Sequence, residues 1–259
     1  MNDEVFSRKQ FIGEVPSTNS WLMAKLRELR ANGIAIPDLW AVYADFQSAG
    51  RGAGTNTWHS TRGLNILTSI CFDTGLAAAD QFVFNLWFAT STRRFLAKYV
   101  PDVLIKWPND MYVHDRKLAG DLTEHSVSGS RLEFTVAGIG IDVNEEGFPE
   151  SIPNPTSLFL ETGRHYDIDA LMDEYLAVLQ ERRPLLSTAH AAELREEYLS
   201  HLYRLNEPHP YLVQGEKITG IIRDIDRFGR LVLEHEDGSR KAYGFKEVGY
   251  LFELVMCEC

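Results

Sequence analysis

One segment, residues 103–144, restricts the fold of this chain more than any other. It alternates apolar stretches with turns and predicts four strands, at 103–107, 111–114, 117–125 and 132–144. Connections such as His114-Asp115-Arg116 are too short for the crossover that joins parallel strands. The segment therefore predicts a mixed, largely antiparallel sheet in an α+β fold.

Apolar spacing predicts helices on both sides of this segment. Leu22, Leu26 and Leu29 indicate one amphipathic helix, and a stretch that is apolar nearly all round indicates a buried one. Helices are thus predicted at 20–32, at 80–99 and around 171–179 and 194–202. Strands are predicted at 39–45 and 64–72, and loops at 47–63 and 149–155.

From about residue 206 the pattern changes to short alternating stretches separated by the turns Phe228-Gly229 and Asp237-Gly238. This pattern is typical of a small barrel built from hairpins. We therefore predict two domains, 1–205 and 206–259, with a boundary near Leu205.

Composition limits the class of protein. The formal net charge of −11 disfavours broad attraction to nucleic acid. The cysteines number only 3, Cys71, Cys257 and Cys259, and neither a signal peptide nor a membrane-spanning stretch is recognisable, so we expect a cytoplasmic protein that contacts no membrane. The terminal Cys257-Glu258-Cys259 lacks partners for a zinc site and is expected to be a frayed tail.

The motif Lys106-Trp107-Pro108-Asn109-Asp110 ends a predicted strand, and Lys117-Leu118-Ala119-Gly120 follows seven residues later. Proline cannot continue a strand ladder, and Asn-Asp favours a turn. Two lysines and an aspartate beside a fixed bend suit a charged binding site. A buried Trp107 flanked by solvated lysines explains the same residues about as well.

The segment 50–58, Gly-Arg-Gly-Ala-Gly-Thr-Asn-Thr-Trp, is a second candidate site. Its glycines let backbone N–H groups approach an anion, Arg51 adds a cation, and Trp58 offers a face on which a base can stack. It matches neither a P-loop nor a dinucleotide fingerprint. A surface loop with one arginine is an equally good interpretation of this segment alone.

Two weaker motifs complete the pattern. Ser17-Thr18-Asn19 is explained most simply as a helix cap, and Gln47 after a strand is unremarkable. Gly138-Ile139-Gly140-Ile141 places two glycines inside a strand, which marks either a bulge or close approach by a ligand or another backbone.

Taken together and in this order, these motifs resemble those of the biotin protein ligases. Lys-Trp-Pro-Asn-Asp followed by Lys-x-x-Gly, with Gly-Arg-Gly upstream, is highly specific to that family, and the resemblance covers nearly the whole chain. It implies a class II synthetase-like catalytic domain that binds biotin and ATP, followed by a small SH3-like β-barrel. Sixteen residues before Ser17 are too few for a helix-turn-helix, so the resemblance is to the monofunctional form without a DNA-binding domain.

The resemblance implies a reaction and its participants. Family members activate biotin with ATP and Mg²⁺ to give biotinyl-5′-AMP, and then transfer biotin to a lysine of the biotin carboxyl carrier domain of a carboxylase. We expect ATP and biotin as substrates, no protein metal site, no nucleic-acid partner, and a monomer or homodimer. Lipoate or octanoate ligation, and a non-catalytic sensor of biotinyl-adenylate, are the alternatives.

Roles follow from the resemblance by position. The expected catalytic residues are Lys117, Arg51 and Asp110. The expected biotin-binding residues are Ser17, Thr18, Asn19, Gln47, Arg51, Gly52, Lys117 and Gly120. The expected nucleotide-binding residues are Gly50, Arg51, Gly52, Ala53, Trp58, Asn65, Lys106, Asn109 and Asp142.

The chain departs from the family pattern at three positions. Ala53 stands where further basic residues are usual, which predicts a shorter-lived enzyme-bound adenylate than in arginine-rich relatives, measurable as adenylate release. Asp121 replaces a common isoleucine and is expected either to face solvent at an open edge or to alter a subunit contact. Asp142 replaces the usual asparagine, and an ionised Asp accepts but cannot donate a hydrogen bond.

Overall fold

A seven-stranded sheet frames the protein in the computed structural model, which describes residues 9–54 and 56–252. Its strands, in spatial order, are β1 (Lys9–Phe11), β3 (Trp40–Ala44), β5 (Ile66–Phe72), β9 (Arg131–Ile141), β8 (Arg116–Ser128), β7 (Asp110–Val113) and β6 (Val103–Lys106). Only the β1–β3 pair is parallel among the pairs of this sheet. The short strands β2 (Glu14–Val15) and β4 (Phe46–Gln47) form a separate parallel pair. The predicted mixed, largely antiparallel sheet is confirmed.

Helices cover both faces of this sheet. They are α1 (Thr18–Ala31), α2 (Gln81–Leu96), α3 (Leu158–Thr162), α4 (Ile168–Arg182) and α5 (Ala191–Ser200), with 3₁₀ turns at Ala78–Asp80, Arg183–Leu185 and Thr188–His190. On one face, α1 packs Leu22 and Leu26 against Trp40 and Val136. On the other, α2 lies between the sheet and the α4–α5 pair, which explains why its sequence is apolar nearly all round.

The C-terminal region forms a second, five-stranded antiparallel sheet. Its strands are β10 (Pro208–Val213), β11 (Glu216–Ile225), β12 (Leu231–His235), β13 (Arg240–Tyr243) and β14 (Val248–Tyr250), and their order is β13-β12-β11-β10-β14. We call it the C-terminal sheet. The Trp107 indole N–H donates to the Gly229 carbonyl at 2.8 Å, which ties the C-terminal sheet to the end of β6. A side chain at Gly229 would collide with the Phe82 ring, so glycine permits this contact.

The structure adds elements that the sequence patterns did not predict, namely β1, β2, β4, α3 and β14. The predicted helices and longer strands are present with ends shifted by a few residues. Cys71 is a buried free thiol, whereas Cys257 and Cys259 lie outside the described residues. Within the described part of the chain, every helix is too short or too polar to cross a bilayer.

Candidate functional site

The turn between β6 and β7 is fixed from two directions. Trp107 is buried and bonded to the C-terminal sheet, and the Tyr198 hydroxyl of α5 donates to the Pro108 carbonyl at 2.8 Å. The Trp107–Pro108 peptide bond is cis. Lys106 of β6 and Asp110 of β7 are directly opposite each other in the antiparallel pair, so their side chains lie on the same face of the sheet.

Asp110 brings two lysines together. Its carboxylate lies 2.8 Å from Lys117 Nζ and 3.8 Å from Lys106 Nζ. A Cβ at Gly120 would stand 2.8 Å from Lys117 Nζ and 3.0 Å from Asp110 Oδ1. The glycine of Lys-x-x-Gly therefore leaves the space in which the Lys117–Asp110 pair forms.

Lys106 lies in a largely desolvated place. Its ammonium is 4.5 Å from the ring centre of Tyr250 and 5.2 Å from that of Tyr112. Burial lowers the pKa of Lys106, and the nearby positive charges of Lys117 and Arg204 lower it further, while Asp110 opposes the shift. An anion that binds beside this ammonium is attracted strongly, because little water screens the two charges from each other.

A buried polar wall begins at the N-terminus of α1. Ser17 caps the helix, and Gln47 Oε1 accepts hydrogen bonds from the Thr18 backbone N–H at 2.8 Å and from the Thr18 hydroxyl at 3.1 Å. Ser69 donates to both Thr18 and Asn19. The triplet is therefore a helix cap and part of a polar network at once.

Asn19 lies close against strands β8 and β9. Its side-chain N–H₂ donates to the Leu122 carbonyl and to Glu124, each at 2.9 Å. A side chain at Gly138 would collide with the Asn19 amide, and one at Gly140 would collide with the Trp58 indole. The two strand glycines thus provide close approach for side chains of the protein itself.

The glycine loop, described at residues 50–54 and 56–58, lies beside this wall and lines the same cavity. Gly52 N–H donates to the Asn56 carbonyl at 2.8 Å, and Trp58 N–H donates to the Gly50 carbonyl at 3.0 Å. The Arg51 guanidinium lies 3.1 Å from Glu124 Oε1, with nearly half of its side chain exposed. Glu124 consequently links the glycine loop to the polar wall, a role that no local pattern indicated.

These parts surround one cavity of about 250 Å³. Most of the predicted site residues line it, including Ser17, Thr18, Asn19, Gln47, Arg51, Gly52, Ala53, Trp58, Lys106, Asn109, Asp110, Lys117 and Gly120. Three predicted residues, Gly50, Asn65 and Asp142, are absent from its lining. The sequence patterns missed Thr68, Leu122 and, from the C-terminal sheet, Phe245, Val248, Gly249 and Tyr250.

Asn65 and Asp142, which were predicted to bind the nucleotide, lie outside the lining of the main cavity. Asn65 is buried, donates to Glu145 at 2.7 Å and accepts from the Val143 backbone N–H at 2.9 Å, so it holds the end of β9. Asp142 lines an adjoining cavity that also contains Trp58 and Lys117.

Asp142 carries an unsatisfied oxygen. Its Oδ1 is buried and has no hydrogen-bond partner within residues 9–54 and 56–252. Burial raises the pKa of Asp142 well above its ordinary value, and the charge of Glu145 adds to the rise, while Lys117 opposes it. When protonated, this carboxyl can donate a hydrogen bond into the adjoining cavity.

Asp121 corrects one expectation. Instead of facing solvent at an open edge, this half-buried carboxylate lines the main cavity and accepts a hydrogen bond from the Asn109 amide, whereas an effect on a subunit contact stays a prediction. Desolvation raises its pKa well above the ordinary value, the Asp110 charge adds to the rise, and Lys117 opposes it.

Comparison with known proteins agrees with this geometry. Residues 15–142 match the model of the biotin/lipoate A/B protein ligase family, and residues 212–245 match that of the biotin protein ligase C-terminal domain. The biotin–[acetyl-CoA-carboxylase] ligase of Paracoccus denitrificans is 31% identical over 205 residues, which cover 76% of this chain and 85% of that protein. The chain belongs to the biotin protein ligase family. The expected family is thus confirmed, and the chain is a biotin ligase.

Other relatives of this ligase extend the match. The bifunctional ligase/repressor BirA of Escherichia coli K12 is 30% identical over 257 residues, covering 93% of this chain and 76% of that protein. The Aquifex aeolicus biotin protein ligase in complex with biotin and ATP superposes with a TM-score of 0.72 at 24% identity, over 94% of this chain and 98% of that one. This structural match confirms the fold of both sheets.

Proposed function

We propose that this ligase joins biotin to ATP, forming biotinyl-5′-adenylate and pyrophosphate, and then transfers the biotinyl group to a lysine of a biotin carboxyl carrier domain. The observation that carries the proposal is one cavity lined by both Lys117 and Arg51 and by a neutral polar wall. A ureido ring needs mixed donors and acceptors, whereas a carboxylate meeting a phosphate needs cations. The names of the Paracoccus and Aquifex proteins support the same substrates.

In the first step a biotin carboxylate oxygen attacks the α-phosphorus of ATP, and the bond to the bridging oxygen breaks, so pyrophosphate leaves. Lys117 neutralises the two anions as they meet, and Arg51 with the Gly52 backbone covers them from the loop. Asp110 holds the Lys117 ammonium at 2.8 Å and so limits the reorganisation that the reaction requires.

In the second step the neutral amine of the acceptor lysine attacks the biotinyl carbonyl, AMP leaves and a proton is released. Asp110 is the carboxylate nearest to Lys117 and is assigned to orient or deprotonate that amine. Thr18, Asn19 and Gln47 hold the ureido ring throughout. Trp58 packs against the adenine, on the side where the two cavities meet.

Magnesium is assigned to the ATP phosphates. The described residues contain no group of three or more His, Cys, Asp or Glu side chains placed to hold a metal, and both Asp110 oxygens face lysines. Mg²⁺ typically keeps water and phosphate oxygens as ligands. We assign Asn109 and Asp110 to the surroundings of such a complex, in which the ion would offset phosphate charge.

Biotin-dependent exchange of labelled pyrophosphate into ATP tests the first step, and transfer of labelled biotin to a purified carrier domain tests the second. We expect both. Exchange that depends on lipoate or octanoate and ignores biotin would overturn the proposal in favour of lipoate-type ligation. Biotin binding without exchange or transfer would instead establish a sensor.

A further inference from the structure

The C-terminal sheet covers one side of the cavity with the turn between β13 and β14, residues 244–247. The Phe245 ring lies 6.2 Å from Trp107, centre to centre, and Val248 and Tyr250 follow it along the cavity. Because Trp107 is also bonded to Gly229, this turn has a fixed position relative to the site. It is therefore a part of the C-terminal sheet that can contribute side chains to the ligand.

Lys246 reaches from this turn to the glycine loop. Its backbone has φ +73°, a left-handed conformation that few residues other than glycine adopt. A side chain at Gly54 would collide with the Lys246 ammonium, so Nζ lies directly on the loop. Gly54 neighbours Ala53, which lines the cavity, and Lys246 thus places its charge at the cavity rim.

Lys246 differs from the other cations of the site in its lack of a carboxylate partner among the described residues. Lys106 and Lys117 share Asp110, and Arg51 pairs with Glu124. Within residues 9–54 and 56–252, Lys246 forms no ion pair. An anion that reaches the rim therefore meets an ammonium that no described carboxylate neutralises.

The shape of ATP indicates which of its phosphate groups can reach Lys246. If the α-phosphate lies at Lys117, the remaining phosphates of ATP extend away from the biotin pocket, which ends at the buried polar wall. Ala53 and Phe245 both line the cavity, and Lys246 lies beside them, because it follows Phe245 in the chain and its ammonium contacts Gly54. The loop itself carries no cation there, because Ala53, Gly54 and Asn56 are uncharged.

We propose that Lys246 of the C-terminal sheet binds the β- and γ-phosphates of ATP, and then the pyrophosphate that leaves, across the glycine loop. The proposal rests on the proposed biotin activation. The ammonium offsets the charge that develops on pyrophosphate as the bond from the α-phosphorus breaks. It takes no part in the transfer step, in which pyrophosphate is no longer present.

The two half-reactions separate this role from others. The variant Lys246→Met keeps the length of the side chain and removes its charge, Lys246→Arg restores the charge, and Lys241→Met removes an exposed lysine of the same sheet. Pyrophosphate release at varied ATP measures the first half-reaction. Transfer from supplied biotinyl-5′-adenylate to the carrier domain measures the second.

For Lys246→Met we expect the KM for ATP and the Kd for pyrophosphate to rise roughly tenfold, the scale of one lost charge-assisted contact. Added salt should shrink the difference. Lys246→Arg and Lys241→Met should behave like the parent, and transfer from supplied adenylate should be unchanged in all variants.

An unchanged KM for ATP in Lys246→Met would overturn the inference, and so would a higher KM for the carrier domain as the only effect, which would mean that Lys246 serves docking. Absence of biotin-dependent exchange in the parent protein would count against the proposed function itself. The two failures are therefore distinguishable.

Discussion

The polar wall and the glycine loop face each other across one cavity, yet they are built differently. In the wall, Thr18, Asn19 and Ser69 are at most 3% exposed and are joined by hydrogen bonds. In the glycine loop, the Arg51 side chain is 47% exposed and is held by one carboxylate. The wall has a fixed shape before any ligand binds, whereas the loop offers charge whose effect depends on what binds.

The difference teaches how each half recognises its ligand. A buried network rejects a molecule that leaves its groups unpaired, so it gives specificity for a neutral polar ring. A cluster of cations accepts any well-placed anion and is sensitive to salt. Substitutions in the wall should therefore affect biotin, and substitutions around the loop should affect the phosphate chemistry.

The largest expected effect tests the charged half. Lys117→Ala should lower biotin-dependent adenylate formation by about 100- to 1,000-fold, the cost of removing one donor that stabilises developing charge. Biotin affinity should change far less, since the wall remains. Exchange of labelled pyrophosphate measures the first quantity and calorimetry the second, with Lys98→Ala on the surface as control. Near-normal exchange in the folded variant would contradict the assignment.

The next effect tests the wall. A methyl group at Gly138 would collide with the Asn19 amide, so Gly138→Ala should weaken biotin binding about 10- to 100-fold, since overpacking costs about 1–3 kcal/mol. The matched control is Gly147→Ala, because a Cβ at Gly147 has nothing within 4 Å. Calorimetry and thermal unfolding report affinity and stability. Unaltered biotin affinity would show that Asn19 does not bind biotin.

A smaller effect is expected at the loop. Arg51→Met should slow adenylate formation about tenfold, the scale of one charged hydrogen bond, without a measurable loss of stability, because exposed ion pairs contribute little. Arg62→Met removes another exposed arginine with two ion pairs and serves as control. Equal rates for the two variants would remove Arg51 from the phosphate site.

The smallest effect concerns stability. Burial raises the pKa of Asp142 in the folded protein, so the native state holds a proton that the unfolded state releases near pH 4. Stability is therefore greatest below that pH and falls as pH rises toward the folded-state pKa. Asp142→Asn should raise the Tm by several degrees at about pH 8 and leave it unchanged below about pH 4.

Differential scanning calorimetry across that pH range provides the measurement. Asp237 is the opposite case, because hydrogen bonds from Ser239 lower its pKa, and Asp237→Asn should not stabilise at any pH. A Tm difference for Asp142→Asn that is constant with pH would show that Asp142 carries no raised pKa.

Local chemistry explains what the sequence could predict. The short turns of residues 103–144 and the Ser17 cap are properties of neighbouring residues, and both are present as predicted. Gly138 and Gly140 are sites of close approach, one of the two interpretations of the pattern, but the groups that approach are the Asn19 and Trp58 side chains and not a ligand or another backbone. Edge strands such as β1 and β14 are too short to show the alternation of apolar and polar residues by which a strand is predicted.

Contacts between distant segments explain the rest. Glu124 reaches Arg51, and Lys246 reaches Gly54, only because the two sheets pack as they do. The expectation that Asp121 faces solvent at an open edge was wrong for the same reason, since its place beside Asn109 depends on how β7 and β8 pair. The family resemblance named most of the residues that line the cavity but not those that the C-terminal sheet contributes to its lining.

Trp58 also has an optical consequence. Its indole lies over Gly140, with the Lys117 ammonium 5.6 Å from the ring centre, and it borders both cavities. Three of the other four tryptophans, Trp40, Trp87 and Trp107, are buried in the core, and Trp21 lies on α1. Trp107 also lines the main cavity, but Trp58 is the tryptophan that borders both, so quenching of its emission would follow nucleotide binding in real time without any attached dye.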